Sequence, residues 1–155
     1  MHADMPTFEP KPGQKDFTNE KRAPVINCVV QCGNRILLAR RSSQVGFYPG
    51  LWSGVSGFLD DEKGIEEKAK EELLEEFGVG DRNVIEIVQG TSYEEVDQKY
   101  DKVWIIHPVL IKVSSDTVVP NWEVEDYRWI EPEEVESFEL VPGFEKVVAA
   151  VLKDL

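Results

Sequence analysis

The chain has 155 residues, of which 41% are hydrophobic and 30% charged, and its formal net charge is −13 at pH 7. This length fits one domain with a proper hydrophobic core. The acidic balance argues against binding along a nucleic-acid polymer, which requires clustered Lys and Arg. No apolar run approaches the roughly 20 residues that cross a bilayer, and the N-terminus lacks the features of a secretory signal. We therefore expect no membrane partner and, by default, a cytoplasmic location.

The N-terminal segment differs in composition from the rest of the chain. It is polar, shows no sustained periodicity and is interrupted by Pro6, Pro10, Pro12 and Gly13. We interpret residues 1–22 as an extended arm and residues 23–155 as a single domain. At the start of that domain, residues 25–31 and 35–40 are rich in apolar and β-branched side chains, and they predict a hairpin of two strands.

An amphipathic helix is predicted over residues 65–77. Its apolar stripe recurs every four residues, at Ile65, Ala69, Leu73 and Phe77. Gly78 follows at the position where a left-handed residue commonly ends a helix. Ahead of the helix, a loop over residues 42–50 leads towards Gly57, where the missing side chain lets the backbone come close to a ligand or an ion.

The same helix carries three acids on one face. Glu72, Glu75 and Glu76 stand at i, i+3 and i+4, so their carboxylates crowd together. Like charges at this spacing destabilise a helix unless a cation or a solvated face relieves them. Mg²⁺ is a hard ion that accepts carboxylate oxygens and would turn the repulsion into coordination. The alternative is an ordinary solvated face in an acidic protein.

Further strands and helices are predicted after this helix. The strands cover residues 83–91, 102–113 and 126–130, and the helices cover residues 132–138 and 144–152. Residues 92–101 are predicted to be a polar, acidic connection. Pro108 cannot donate a ladder hydrogen bond, so a bulge or an edge position is expected there. Strands interleaved with helices in this order predict an α/β fold in which a mixed sheet packs between helices.

The segment from Gly57 to Val79 resembles the Nudix box of the Nudix (MutT-like) hydrolases. The box requires Gly, five residues, Glu, seven residues, Arg-Glu-apolar, one residue, Glu-Glu, one residue and Gly-apolar. Residues at the required spacings are Gly57, Glu72, Leu73, Glu75, Glu76, Gly78 and Val79. Two positions depart, since Lys63 replaces a Glu and Glu71 replaces the Arg. The resemblance covers roughly residues 23–153 and implies a Nudix-type α/β/α sandwich with a mixed β-sheet.

The two departures exchange the signs of one ion pair. In the family, the Glu and the Arg at these positions usually hold the loop against the helix. Lys63 and Glu71 still carry opposite charges and can attract each other. A lysine, however, lacks the planar guanidinium with which an arginine binds a carboxylate through two hydrogen bonds. The alternative is that they are two unrelated surface residues. Whether the exchange impairs catalysis is not decided by the sequence.

The resemblance implies hydrolysis of a pyrophosphate bond in a nucleoside diphosphate linked to another group. It assigns Glu72 and Glu76 as ligands of Mg²⁺, with Mn²⁺ as the alternative ion, and Glu75 as a ligand or proton acceptor. In the family, the carbonyl oxygen of the glycine corresponding to Gly57 can be a further ligand. The competing hypothesis is a catalytically impaired Nudix-fold binding or regulatory module.

Residues outside the box supply further candidates. The segment around Glu123 is similar to a family stretch in which a Glu stands six residues before a Trp, so Glu123 is a candidate metal ligand or base. Its competitors are Glu94, Glu95 and Asp97. Arg40 and Arg41 end a strand near the expected site and are candidates for binding phosphate oxygens, with capping of the strand as the alternative.

The nucleotide itself is not identified by the sequence. Aromatic residues available to stack on a base are Phe47, Tyr48, Trp52 and Trp122. Such residues are more often part of a core, and none is assigned to a base. The expected partner is a small nucleotide or nucleotide-like diphosphate, and a homodimer is compatible with the resemblance.

Overall fold

The structure is a computed structural model that describes residues 19–60 and 62–152. Its strands are β1 (Arg22–Cys32), β2 (Arg35–Arg41), β3 (Trp52–Ser53), β4 (Val55–Phe58), β5 (Val84–Gln89), β6 (Tyr93–Asp97), β7 (Lys102–Val113) and β8 (Val124–Ile130). The helices are α1 (Ile65–Phe77) and α2 (Phe144–Val151), with short 3₁₀ helices at Asp81–Asn83 and Pro132–Ser137. Residues 1–18 of the predicted arm lie outside the described residues.

The centre of the sheet is the parallel pair β1 and β7, in register from Arg22 opposite Val103 to Gln31 opposite Lys112. The main path of the sheet runs β3-β2-β1-β7-β5, and β4, β6 and β8 pair with β1, β7 and β2 respectively. All pairs other than β1–β7 are antiparallel. The predicted mixed sheet is therefore confirmed.

The two helices cover opposite faces of this sheet. Alternate residues of a strand point to opposite faces, so β1 contributes Cys28 to one core and Val29 to the other. The first core contains the predicted stripe of α1, including Leu73 and Phe77. The second core contains Phe144 of α2 and its neighbours. This arrangement is the α/β/α sandwich that the sequence predicted.

Helix α1 has the predicted boundaries. It ends at Gly78, which has a left-handed φ of 68° and donates its backbone N–H to the Leu74 carbonyl at 2.9 Å. A glycine adopts this conformation without the steric cost that a side chain would add. Glu66 and Glu67 lie in the first turn, where acids interact favourably with the helix dipole.

One predicted connection contains a strand. Within residues 92–101, the segment Tyr93–Asp97 forms β6 and pairs with β7 from Ile106 back to Lys102. The sequence did not predict this strand because Glu94, Glu95 and Asp97 lower the β-propensity of the segment. Tertiary pairing with the long central strand overrides that local preference.

Pro108 lies in β7, which is a central strand and not an edge. β6 pairs with β7 up to Ile106, and β5 pairs with it from Val109 onwards. Pro108 therefore sits where the ladder passes from one partner strand to the other, and its carbonyl accepts the Gly90 N–H at 2.8 Å. The expected bulge or edge position at Pro108 is therefore wrong, and a gap between two partner strands takes its place. A missing donor is tolerated where the ladder is already interrupted.

The C-terminal elements differ slightly from the prediction. The segment from Pro132 is a 3₁₀ helix that ends at Ser137, and α2 ends at Val151. None of the helices within residues 19–60 and 62–152 has the length and apolar character to span a membrane.

Candidate functional site

The site begins where β4 meets α1. β4 runs antiparallel to β1 and places Gly57 opposite Ile26. A Cβ atom built on Gly57 would lie 2.6 Å from both Cδ and Oε1 of Glu72. No side chain larger than hydrogen fits there without displacing the carboxylate. The glycine therefore allows the strand backbone and the Glu72 carboxylate to lie side by side.

Glu72 is largely withdrawn from water. Its side chain is 13% exposed. Burial, followed by the charge of Glu75, raises the pKa of Glu72 to about 8, although the nearby ammonium of Lys68 opposes the shift. A carboxylate in this environment holds a proton near neutral pH unless a cation replaces it.

Glu76 is one turn further along α1 and is more deeply buried, at 5% exposure. Its Oε2 atom has no hydrogen-bond partner. Burial, then the charges of Glu123 and Glu72, raise the pKa of Glu76 well above its ordinary value. A buried carboxylate oxygen without a partner is costly for the folded protein, and it is an available donor to a cation.

The loop before β8 brings Glu123 to the same place. Backbone N–H groups of Val119 and Asn121 donate to the carbonyls of Phe77 and Glu76, at 2.8 and 2.9 Å, and hold the loop over the end of α1. The Asn121 side chain lies 3.4 Å from Glu123 Oε1. Burial raises the pKa of Glu123 despite the opposing effects of Asn121 and Arg41. The charge of Glu123 is among the causes that raise the pKa of Glu76, so the two carboxylates repel each other.

The competitors of Glu123 are engaged elsewhere. Glu94, Glu95 and Asp97 contact Arg22, Lys146 and Tyr48, respectively. Glu75 is exposed on the open side of α1, yet its charge raises the pKa values of both Glu72 and Glu123. The structure thus gathers Glu72, Glu75, Glu76 and Glu123 around one end of α1.

The two arginines of β2 point to different surroundings, as neighbours in a strand do. Arg41 donates from Nε to the Phe47 carbonyl at 2.8 Å and from Nη1 to Ser56 Oγ at 3.4 Å. Burial lowers its pKa, while Glu76 and Glu123 oppose the shift, so the guanidinium faces the acid cluster. Arg40 is exposed and pairs with Glu125 at 3.3 Å.

The reversed ion pair is present. Lys63 Nζ lies 2.9 Å from Glu71 Oε2 and connects the loop to α1. A second pair was missed by sequence reasoning. Lys68 and Asp60 are both buried, and their charged atoms are 2.9 Å apart. The spacing of Lys68 and Glu72 at i and i+4 is a visible signal, but nothing in the sequence indicates that Asp60 folds back onto them.

The chemical type of these donors suits a hard divalent cation. Carboxylate oxygens and a backbone carbonyl are the ligands such ions prefer, and Glu76 Oε2 lacks any other partner. As the side chains are placed, no three His, Cys, Asp or Glu residues within residues 19–60 and 62–152 form a group that could hold a metal ion. The fit therefore rests on the chemistry of the buried acids and on the close approach of the Gly57 backbone to the Glu72 carboxylate.

Most of the aromatic candidates serve the structure. Phe47 packs edge-on against Tyr100 and Trp104, with ring centroids 4.9 and 5.2 Å apart. Trp52 packs against Phe138 in the core on the α2 side. Trp122 is different, since 51% of it is exposed beside Glu123.

Fold and site together define a class: an α/β/α sandwich in which a glycine-bearing strand and loop place buried acids on the following helix. The family model of the NUDIX domain matches residues 21–151, and the chain belongs to the Nudix family. The protein is accordingly a hydrolase that acts on phosphoric anhydride bonds, as the sequence predicted.

Individual relatives are distant. The nucleoside triphosphatase NudI of Escherichia coli (strain SE11) is 24% identical over 127 residues, covering 77% of this chain and 89% of that protein. The NUDIX hydrolase from Nitrosomonas europaea has a TM-score of 0.69 at 14% identity, covering 86% and 90% of the two chains. The NUDIX domain of Shewanella oneidensis NrtR, solved with ADP ribose, has a TM-score of 0.67 at 16% identity, covering 92% and 94%. These similarities show the fold.

Proposed function

We propose that the protein is a Mg²⁺-dependent pyrophosphohydrolase, with Mn²⁺ as the alternative ion. Its substrate is a nucleoside diphosphate linked to another group. The observation that carries the proposal is the buried Glu76 carboxylate, which has an unpartnered oxygen and whose pKa is raised by burial and by the charges of Glu123 and Glu72. This arrangement disfavours the folded protein unless a cation binds, because buried charges require compensation.

The acid cluster would hold the cation. Glu72, Glu76 and Glu123 supply carboxylate oxygens, and Gly57 supplies its carbonyl from the strand that passes beside Glu72. When bound, the divalent ion neutralises the diphosphate and lowers the pKa of an attacking water. Glu75 is the exposed member of the cluster, and we assign to it the role of accepting the proton of that water.

Arg41 is the better of the two phosphate-binding candidates. Its guanidinium is held between Phe47 and Ser56 and faces the acids, so it is already oriented when substrate arrives. Arg40 remains a prediction, because its exposed side chain pairs with Glu125. Hydrolysis adds one water across the P–O–P bond, leaves two phosphorylated products and returns the proton from Glu75 to solvent.

The test is the formation of nucleoside monophosphate from a panel of nucleotides, measured by chromatography with and without Mg²⁺. Relatives suggest that nucleoside triphosphates and ADP-ribose should be included, since a similar protein is named a nucleoside triphosphatase and a similar domain was solved with ADP ribose. Glu76→Gln should lower kcat/KM about 1000-fold, because removing one metal ligand forfeits several kcal/mol of charge stabilisation. Glu66→Gln, on the exposed first turn of α1, is the matched control.

Two results would count against the proposal. Metal-independent activity would show that the acids do not work through a cation. Nucleotide binding without hydrolysis anywhere in the panel would favour the binding or regulatory module, in which the Nudix fold is kept and the catalytic use of the acids is lost.

A further inference from the structure

Lys68 is the one charged side chain of the described residues that is 2% exposed or less. It lies on α1, with its ammonium 2.9 Å from Asp60 Oδ1. Asp60 is itself buried and follows Gly57 by three residues. A buried ammonium is costly unless it is paired and hydrogen-bonded, so its place in the site needs an explanation.

The ammonium also reaches the proposed metal ligands. Its Nζ atom is 3.9 Å from Glu72 Oε1 and 3.7 Å from Glu71 Oε1. Lys68, Glu72 and Glu76 follow one another every four residues, so they form one row along α1. A permanent positive charge therefore stands at the end of a row of carboxylates, on the side of Glu72 away from Glu76.

We propose that Lys68 is a positioning residue that supplies a fixed cation to Glu72 and thereby sets how tightly the acid cluster binds a divalent ion. This inference rests on the proposed function. The ammonium attracts Glu72 Oε1, the oxygen that lies beside Gly57, across 3.9 Å. Its positive charge also repels a second cation, so metal affinity is lower than the acids alone would give.

A purely structural role makes a different prediction. If the Lys68–Asp60 pair only fastened the loop to α1, breaking it from either side would loosen the site and weaken metal binding. If Lys68 acts through its charge, the two changes have opposite effects on metal affinity. Removing the ammonium removes a repulsion, whereas neutralising Asp60 leaves the ammonium less compensated and strengthens its effect on Glu72.

The experiment is a titration of the metal-free protein with Mn²⁺, in which the electron paramagnetic resonance signal of the free ion gives the dissociation constant directly. Lys68→Met should bind Mn²⁺ about tenfold more tightly, because it removes a positive charge that lies 3.9 Å from an oxygen of the proposed ligand Glu72. Asp60→Asn should bind it equally or more weakly. Lys68→Arg keeps the charge and should restore the wild-type constant.

A weaker constant in Lys68→Met, or a tighter one in Asp60→Asn, would overturn the role assigned to Lys68. Circular dichroism and urea unfolding establish whether each variant is folded, and Lys68→Gln, which also removes the charge, takes the place of Lys68→Met if that variant does not fold. Wild-type protein that binds Mn²⁺ while all variants match it would overturn only this inference. Wild-type protein that binds no Mn²⁺ at millimolar concentration would overturn the proposed function as well.

Discussion

Two buried carboxylates of this protein, Asp97 and Glu76, have nearly the same exposure, at 8% and 5%. Asp97 accepts hydrogen bonds from Tyr48 Oη at 2.6 Å, from Trp104 Nε1 at 2.8 Å and from the Tyr100 backbone at 3.1 Å. Burial alone would raise the pKa of Asp97, but these donors lower it. Glu76 has an oxygen without a partner and a raised pKa.

The difference separates a structural acid from the acid that we propose as a metal ligand. Asp97 is surrounded by donors, so its charge is stabilised and it fixes the positions of the Tyr48 hydroxyl and the Trp104 indole. Glu76 is surrounded by other acids, so its charge is left for a cation to compensate. Burial therefore carries no functional information without the hydrogen-bond partners, since only an incompletely satisfied group retains capacity for a ligand.

After the loss of a metal ligand itself, the largest expected effect tests whether the acids depend on the glycine beside them. Gly57→Ala should lower kcat/KM about 100-fold, because the new Cβ would lie 2.6 Å from the Glu72 carboxylate and force it to move. Steady-state kinetics with Mg²⁺ measure the loss. Gly46→Ala is the control, since nothing lies within 4 Å of a Cβ at that position. Equal kinetics for both variants would show that the close approach at Gly57 has no role.

The next largest effect is expected on the free energy of unfolding when the hydrogen bonds to Asp97 are disrupted. Asp97→Asn should lower the free energy of unfolding by about 1–3 kcal/mol, because an amide cannot accept from all the donors that face Asp97. Urea denaturation measures the change. Asp101→Asn is the control, since this exposed neighbour pairs only at the surface with Lys21. A stable Asp97→Asn variant with lost activity would instead place Asp97 in the functional site.

The raised pKa of Glu72 should make the stability of the metal-free protein depend on pH. The pKa of Glu72 is about 8 in the folded protein, above its ordinary 4.5, so the folded chain binds more protons between these values. Stability without metal should therefore fall as pH rises from about 5 to about 8. Compared with Glu72→Gln, the wild type should lose roughly 1–3 kcal/mol more over this window. Millimolar Mg²⁺ should reduce the loss.

Urea denaturation at several pH values, with a chelator or with Mg²⁺, measures this dependence. Glu66→Gln should follow the wild type, because Glu66 is exposed in the first turn of α1. Identical pH profiles for the wild type and Glu72→Gln would mean that the Glu72 carboxylate does not carry the raised proton affinity.

The smallest effect concerns the reversed pair. Lys63→Glu should lower the free energy of unfolding by about 0–1 kcal/mol, since Lys63 is partly exposed and such pairs are screened by water. Adding Glu71→Arg should not fully rescue the variant, because residue 71 also lies 3.7 Å from the buried Lys68. Urea denaturation of both variants at low and high salt checks this. Full recovery of the free energy of unfolding in the double variant would show that the charge at residue 71 does not interact with Lys68.

That contact also gives a physical reason for the exchanged signs. Glu71 lies between the ammonium groups of Lys63 and Lys68. An arginine at residue 71 would add a third cation to this place, whereas an acid is attracted by both lysines. The departure from the Nudix pattern is therefore consistent with the buried lysine of this chain, and it preserves the connection between loop and helix.

The sequence by itself determined the features that depend on short-range periodicity. The four-residue recurrence from Ile65 to Phe77 and the glycine that follows define α1 and its apolar face. Because a helix has a fixed pitch, the same recurrence places Glu72 and Glu76 on one side. The box spacing then identifies the family, and with it the fold and the class of reaction.

Only the tertiary structure decided which groups are buried together. Asp97 meets Tyr48 across 49 residues of sequence, while Glu123 reaches Glu76 through a loop held by backbone hydrogen bonds. Strand pleating turned Arg41 towards the acids and Arg40 away from them. These outcomes depend on strand register and long-range packing, which determine the burial and partners of a charge. The periodicity of the sequence gives no information about strand register or long-range packing.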